Sequence, residues 1–447
     1  MAAMVKQAAA DPRFAGGKLL DLEKGLVARR IFSDPEIYEE EMQRVFHRCW
    51  LFLGHDSMLP RPGDFITTYM GDDPVIVWKD PRGQVHAFLN NCPHRGNKLC
   101  LYDRGRAVSF SCSYHGWTFA SDGKLVGVPF LEEAYYGQLE VDCWGLIEVP
   151  KVVSRGGLIF GCWDPEAPSL DEYLGDVCWY FDTLFGDAGL EALPGCQRYT
   201  IVGNWKLFCD NFAGDGYHVP TSHASAFQAD ATRRNYADRR GNRFMVHLAP
   251  AHGLGAVTIG DDGYEGDVER ARELGPEAVE WVQERHRRLQ ERQKDRPTKL
   301  AGWTWGQCFP NLNLQAFDSA LRGHLLILCH PKGPDSADIW QWCFVERDAP
   351  RSIKALAART ATRGQSGTGL IGIDDSENFE RITENMRTVG NRDIVSNYAM
   401  TLEMEGRWPG QEEWPITGLP GFFGPSMWET SQRRFYRYWA QLMGISV

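Results

Sequence analysis

Apolar residues recur at helical spacing across residues 34–50 (DPEIYEEEMQRVFHRCW), after an acidic start, and predict a lead-in helix. From about residue 51 to 165 the texture changes to short β-rich runs. These are FITTYM, PVIVWK, VHAFLN, AVSFSC, GLIEVP and GLIFGCW, punctuated by PRPGD, GDD, DPRGQ and ASDGK. Short apolar runs bounded by Gly, Asp and Pro predict a small antiparallel β domain. Beyond residue 166 the two signals mix. QRYTIVGNWKLFCDNF predicts a strand running into a helix, and residues 265–297 one or two highly charged helices with a solvated face. LNLQAFDSA, GHLLILCHP and DIWQWCFVERD predict strands of a larger antiparallel sheet, and IDDSENFERITENMRTV a long helix. No internal repeat or low-complexity segment is found. The expected class is α+β, in three parts. A lead-in over 1–50 packs its helix on a catalytic domain over 166–447, in which helices flank an antiparallel sheet; the small β domain occupies 51–165.

Composition narrows the class. At 447 residues and 50.6 kDa the chain is too long for one simple core, so more than one domain is the default. Hydrophobic residues at 43% and 16 Trp indicate a folded protein with a core or pocket rich in large planar side chains. A net charge of −11 without a long basic run argues against nucleic-acid binding, although it suits a partner with a basic patch. No stretch approaches the ~20 apolar residues of a membrane helix. The opening MAAMVKQAAADPRFAGG lacks a signal-peptide core, and the expected compartment is cytoplasmic. Cys49, Cys143, Cys162, Cys178, Cys196, Cys209, Cys308, Cys329 and Cys343 are expected to be reduced, buried thiols.

The chemistry concentrates in two places. Cys92-Pro-His94 and Cys112-Ser-Tyr-His115 each pair one thiol with one imidazole, and each is followed by glycine within a tight loop. Two thiolates on one iron and two neutral imidazoles on the other are the inventory of a Rieske [2Fe–2S] centre, less negative than an all-cysteine cluster. The rival, a Cys2His2 zinc site, usually needs C-x2-4-C and H-x3-5-H pairs, whereas here each pair mixes one Cys with one His.

The second place is DNFAGDGYHVPTSH, residues 210–223. His218 and His223, five apart, would not share a helix face, but Pro220 disfavours helical geometry at Val219, and a break there would turn them together. Asp215 stands one helical turn before His218 and is placed to orient its second ring nitrogen. Two imidazoles and one carboxylate make the facial triad of non-haem Fe(II) oxygenases. The missing carboxylate is sought in Asp374-Asp375, on the helix predicted after GTGLIGI. His47, His55, His86, His247, His252, His286, His324 and His330 are read as surface or hydrogen-bonded structural histidines.

With CPHRG, CSYHGW and NWKLFCDNFAGDGYHVPTSH in hand, the chain resembles the large (α) subunit of Rieske non-haem iron aromatic ring-hydroxylating dioxygenases of the naphthalene and biphenyl type, over about residues 35–445. That resemblance implies His218, His223 and Asp375 as iron ligands and Asn211 as a distant or non-bonding neighbour near the metal. It implies Asp215 as a bridge carrying electrons from His115 of the partner subunit to His218. It also implies an α trimer, often with small β subunits (α3β3), because head-to-tail association brings one chain's cluster beside another's iron. NADH would act through a reductase and usually a ferredoxin. The implied reaction is cis-dihydroxylation of a mono- or polycyclic arene with O2. Phe212, Val219, Trp303, Trp305, Gln315 and Ile371 are the implied pocket lining, Trp303 and Trp305 replacing more polar residues of the naphthalene type. An aromatic acid hydroxylated instead, drawn by Arg233, Arg234, Arg239 or Arg240, is one alternative; a non-catalytic Rieske electron carrier is another.

Overall fold

The computed structural model describes residues 17–185, 189–229, 243–258, 263–316, 319–391, 393–404 and 416–447. The chain divides into two compact units, one of Phe46–Leu170 and one of the residues to Val45 together with Asp171–Val447. The β-rich unit thus extends five residues beyond each end of the expected 51–165, and the lead-in joins the larger unit.

Asp34 caps the helix α1 (Pro35–Glu41), its carboxylate accepting from the Glu36 amide, and a π-helical turn over Met42–Phe46 follows. The β-rich unit holds β1 (Leu51–His55), β2 (Asp64–Met70), β3 (Asp73–Lys79), β4 (Val85–Leu89), β5 (Arg104–Arg106), β6 (Ser109–Ser111), β7 (Thr118–Ala120), β8 (Leu125–Gly127), β9 (Lys151–Arg155) and β10 (Leu158–Cys162). They form three antiparallel sheets, β4–β3–β2–β5, β8–β7–β6 and β9–β10–β1. GLIEVP does not become a strand; only Glu148 bridges to Phe88, because its partner edge is met at a single residue. Trp78, Phe88, Phe119 and Trp117 form the core of this unit, together with Cys92 and Cys112.

In the larger unit, β11 (Leu190–Ala192) and β12 (Gln197–Val202) precede α2 (Trp205–Gly214) and the one-turn helix α3 (Val219–Ser222). Then follow β13 (Arg243–Leu248), β14 (His252–Thr258), the charged helices α4 (Tyr264–Arg272) and α5 (Pro276–Arg292), β15 (Leu300–Cys308) and β16 (Leu312–Ala316). The last elements used below are β17 (His324–Gly333), β18 (Ser336–Glu346), α6 (Gly372–Met386), β19 (Phe422–Pro425) and α7 (Thr430–Met443). Nine strands make one antiparallel sheet in the order β11–β18–β17–β16–β15–β14–β13–β19, with β12 also pairing β18. Among the described residues no helix is long and apolar enough to cross a membrane.

α2 positions the site. Asn204 caps it by accepting from the Lys206 amide, and every residue of the helix except Asn211 is buried. A Cβ on Gly253 would lie 2.1 Å from the Ala213 carbonyl oxygen, so only glycine lets the helix end descend onto β14. At the other end, Lys206 pairs with Glu41, which also accepts from the indoles of Trp205 and Trp439, each at 2.8 Å. Both charges are fully buried, and burial holds the Lys206 pKa down despite its partner. Glu41→Ala would leave that ammonium unpaired, and is expected to cost about 3–5 kcal/mol in urea unfolding. An unchanged midpoint would show that the pair anchors nothing.

Of the cysteines expected to be buried, Cys143 is exposed, because its 3-10 turn stands on the surface beside Glu140; Cys178, Cys196 and Cys343 are partly exposed.

Candidate metal centres

The two Cys/His loops are built alike. In one, the Cys92 amide donates to Asn97 O and Gly96 N returns to Cys92 O; in the other, Cys112 donates to Trp117 O and Gly116 N returns to Cys112 O. Gly96 and Gly116 take φ of 75° and 74°, the left-handed conformation these reversals require. Each loop therefore presents its thiol and imidazole on one side. The amides of His94 and Arg95 point at Cys92 Sγ, and those of Tyr114 and His115 at Cys112 Sγ. Burial raises the Cys92 thiol; at Cys112 burial also opposes ionisation, but these amides and the Asn97 side chain outweigh it and lower the pKa.

The imidazoles of His94 and His115 lie 4.5 Å apart, with His94 stacked on Trp117 at 4.7 Å and 8°. His94 Nδ1 is buried and meets no hydrogen-bond partner among the described residues. Two buried thiols that hydrogen-bond one another, beside a free imidazole nitrogen, fit a binuclear cluster with mixed ligands. Asn97 was not legible as part of the site, since a neutral amide carries no ligand spacing.

The second constellation closes as a triangle. His218 Nε2 and His223 Nε2 are 3.2 Å apart, and Asp375 Oδ1 lies 3.3 and 3.4 Å from them. Ligands at about 2.1 Å and right angles around one ion would be about 3.0 Å apart, so the donors are set for a single metal bound on one face. The chain reverses before His218, not at Pro220. Asp215 ends α2, its Oδ1 accepting from the amides of Tyr217 and His218 at 3.1 Å. Pro220 then sits in the first turn of α3, where its missing N–H is no loss.

Each imidazole has its own outer carboxylate. Asp215 Oδ2 lies 3.3 Å from His218 Nδ1, and Asp374 Oδ2 3.2 Å from His223 Nδ1. The adjacent aspartates of α6 thus split their roles, Asp375 facing the triangle and Asp374 backing His223. Burial opposes charge on His218, yet Asp215 and Asp375 outweigh it and lift its pKa to about 10, so the surroundings favour a cation. Asp374→Ala is expected to weaken divalent-metal affinity about 10–100-fold in titrations of the apoprotein. A change under about twofold would remove Asp374 from the site.

The remaining expected residues are placed as follows. Asn211 Nδ2 is 3.5 Å from His218 Nε2. Phe212 is buried and stacks on Phe208 with ring centroids 5.0 Å apart. Val219 opens α3, and Ile371 caps α6 four residues before Asp375. Trp305 and Gln315 are direct cross-strand partners on β15 and β16. The Trp303 side chain and Arg233, Arg234, Arg239 and Arg240 lie outside the described residues. Tyr199 on β12 was missed: burial and the charge of Asp375 both raise its pKa, placing the phenol near the triangle.

Comparison with known proteins gives two family matches, the Rieske [2Fe-2S] domain over residues 49–145 and the ring hydroxylating alpha subunit catalytic domain over 190–445. The large oxygenase component of a naphthalene 1,2-dioxygenase system from Pseudomonas fluorescens is 34% identical, covering 94% of this chain and 92% of its own. Biphenyl 2,3-dioxygenase subunit alpha from Rhodococcus jostii is also 34% identical, over 95% of this chain and 90% of its own. Among solved structures, naphthalene 1,2-dioxygenase from a Rhodococcus species bound to indole superposes with a TM-score of 0.79 at 34% identity, covering 94% of each chain.

Proposed function

Because the chain belongs to the Rieske ring-hydroxylating dioxygenase large-subunit family, we propose that it is the terminal oxygenase of a multicomponent, cytoplasmic system. The reaction proposed is arene + O2 + NADH + H+ giving a cis-dihydrodiol and NAD+, on a mono- or polycyclic aromatic compound. NADH would be oxidised by a separate reductase, with a ferredoxin between. The supporting observation is the His218–His223–Asp375 triangle in a chain that also carries the paired Cys/His loops.

Cys92, Cys112, His94 and His115 would hold the cluster, and His218, His223 and Asp375 the mononuclear iron. When bound, the cluster supplies electrons singly and the ferrous ion a site at which O2 is activated. The chain contributes orientation and exclusion. Asp374 and Asp215 keep both imidazoles turned with Nε2 towards the triangle. Phe212 and Ile371 supply apolar surface that displaces water from a bound ring. Asn211, 3.5 Å from His218 Nε2, offers a neutral amide at the edge of the site without adding charge.

An α trimer is part of this reading. Tyr102, Val108, Tyr114, Phe130 and Tyr136 of the β-rich unit are at least 62% exposed. Phe130 and Tyr136 are also held at φ of 53° and 52°, a strained conformation for aromatic residues. Exposed aromatic surface of this extent suits a partner, here the larger unit of a second copy. With matched redox partners, a screen of arenes and aromatic acids should yield cis-diols from arenes. Oxygenation of acids alone would contradict the proposal.

A further inference from the structure

The two Cys/His loops reach across to one another from equivalent positions. The Cys92 amide donates to the carbonyl of Asn97, and the Cys112 amide to that of Trp117, in each case five residues on. Each fifth residue then turns its side chain onto the other loop. Trp117 stacks on His94 at 4.7 Å, whereas Asn97 Nδ2 donates to Cys112 Sγ at 3.5 Å, a length that suits the large sulfur acceptor. The other hydrogen of the same NH2 goes to Ser113 Oγ at 3.1 Å, so both are used.

The Asn97 side chain is held where it stands. Its backbone carbonyl takes the Cys92 amide at 2.8 Å. Just beyond it, the amides of Leu99 and Cys100 both donate to Asn90 Oδ1, and Asn90 Nδ2 donates back to the Cys100 carbonyl. Asn90, Leu99 and Cys100 are all buried, so the base of this loop is fixed. The reversal itself does not need the Asn97 amide, because Gly96 and the paired backbone bonds supply it, as Gly116 does in the other loop. Asn97 therefore provides a preorganised donor rather than a turn.

Each thiol already faces two backbone amides of its own loop, those of His94 and Arg95 at Cys92 and of Tyr114 and His115 at Cys112. The Asn97 hydrogen is an additional donor on Cys112, from a side chain and from the opposite loop. A hydrogen bond to a cluster sulfur draws off negative charge, and the reduced cluster carries one electron more than the oxidised. The donor thus stabilises the reduced form more strongly. We propose that Asn97 is a tuning residue for the electron-storing cluster: its amide, bonded across the loops to Cys112 Sγ, raises the reduction potential and favours the loaded state. The proposal rests on the assignment of Cys112 to the cluster, and goes beyond the reaction proposed above by naming a residue that sets the driving force for its electrons.

An EPR-monitored redox titration of the holoenzyme, at one pH and without substrate or redox partners, tests it. Asn97→Leu keeps much of the volume and removes the donor. Its equilibrium constant for one-electron reduction should fall about tenfold, equivalent to about 59 mV. Asn97→Ala, which adds no bulk, should show the same fall. Ser113→Ala should change the constant less than about twofold, because that hydroxyl takes the other hydrogen of the amide. An unchanged potential in the Asn97 variants overturns the proposal. So does a shift in Ser113→Ala as large as in Asn97→Leu, or failure of both Asn97 variants to assemble a cluster, since either would make Asn97 a clasp between the loops. A wild-type protein with no [2Fe–2S] signal on reduction would instead refute the ligand assignment beneath it.

Discussion

Asp375→Ala is expected to abolish oxygenated product while leaving the visible spectrum of the cluster unchanged. The carboxylate closes a triangle whose other corners lie 3.3 and 3.4 Å away. Asp374 is committed to His223 Nδ1 on the far side of that ring, so it cannot turn to substitute without releasing the imidazole. The loss should therefore exceed the 10–100-fold cost of losing an outer partner, and iron per chain should fall by about one. His218→Ala should behave alike. The cluster loops belong to a different compact unit, with their own core around Trp78 and Phe119, which is why their spectrum should persist. Normal turnover by either variant would show that the ligand assignment is wrong.

Asp215→Asn should give the second large effect, a block in electron delivery with both metals retained. Asp215 has two separable tasks. Its Oδ1 accepts from the amides of Tyr217 and His218 and so forms the turn that aims His218, a task asparagine can perform. Its Oδ2 faces His218 Nδ1 at 3.3 Å, where we propose that the negative charge couples His218 to His115 of the partner subunit. The variant should keep iron and its cluster spectrum, yet oxidise the reduced cluster about 10–100-fold more slowly in a single turnover. Wild-type cluster oxidation would count against the bridging role. Asp215→Ala, which also removes the turn, should lose iron in addition.

Much of this architecture was legible because local pattern and global fold agree. The strand into helix of QRYTIVGNWKLFCDNF, the charged pair of helices and the helix bearing Asp374-Asp375 appear where periodicity places them. The metal-binding residue types were legible because few side chains ligate metals and their spacing is diagnostic. What failed depended on context beyond the local run. Pro220 reads as a helix breaker, but the turn made by Asp215 had already reversed the chain, leaving proline at a helix start. GLIEVP has a strand's composition, yet finds only one bridging partner.

The central claim is that one chain carries two iron sites with different tasks, a binuclear cluster that stores electrons and a lone ion that uses them. Iron and acid-labile sulfide quantified together on the purified, active chain test this most directly. About three irons for every two sulfides are expected, falling to about two in Asp375→Ala. An active wild-type preparation with only two irons per two sulfides would contradict it.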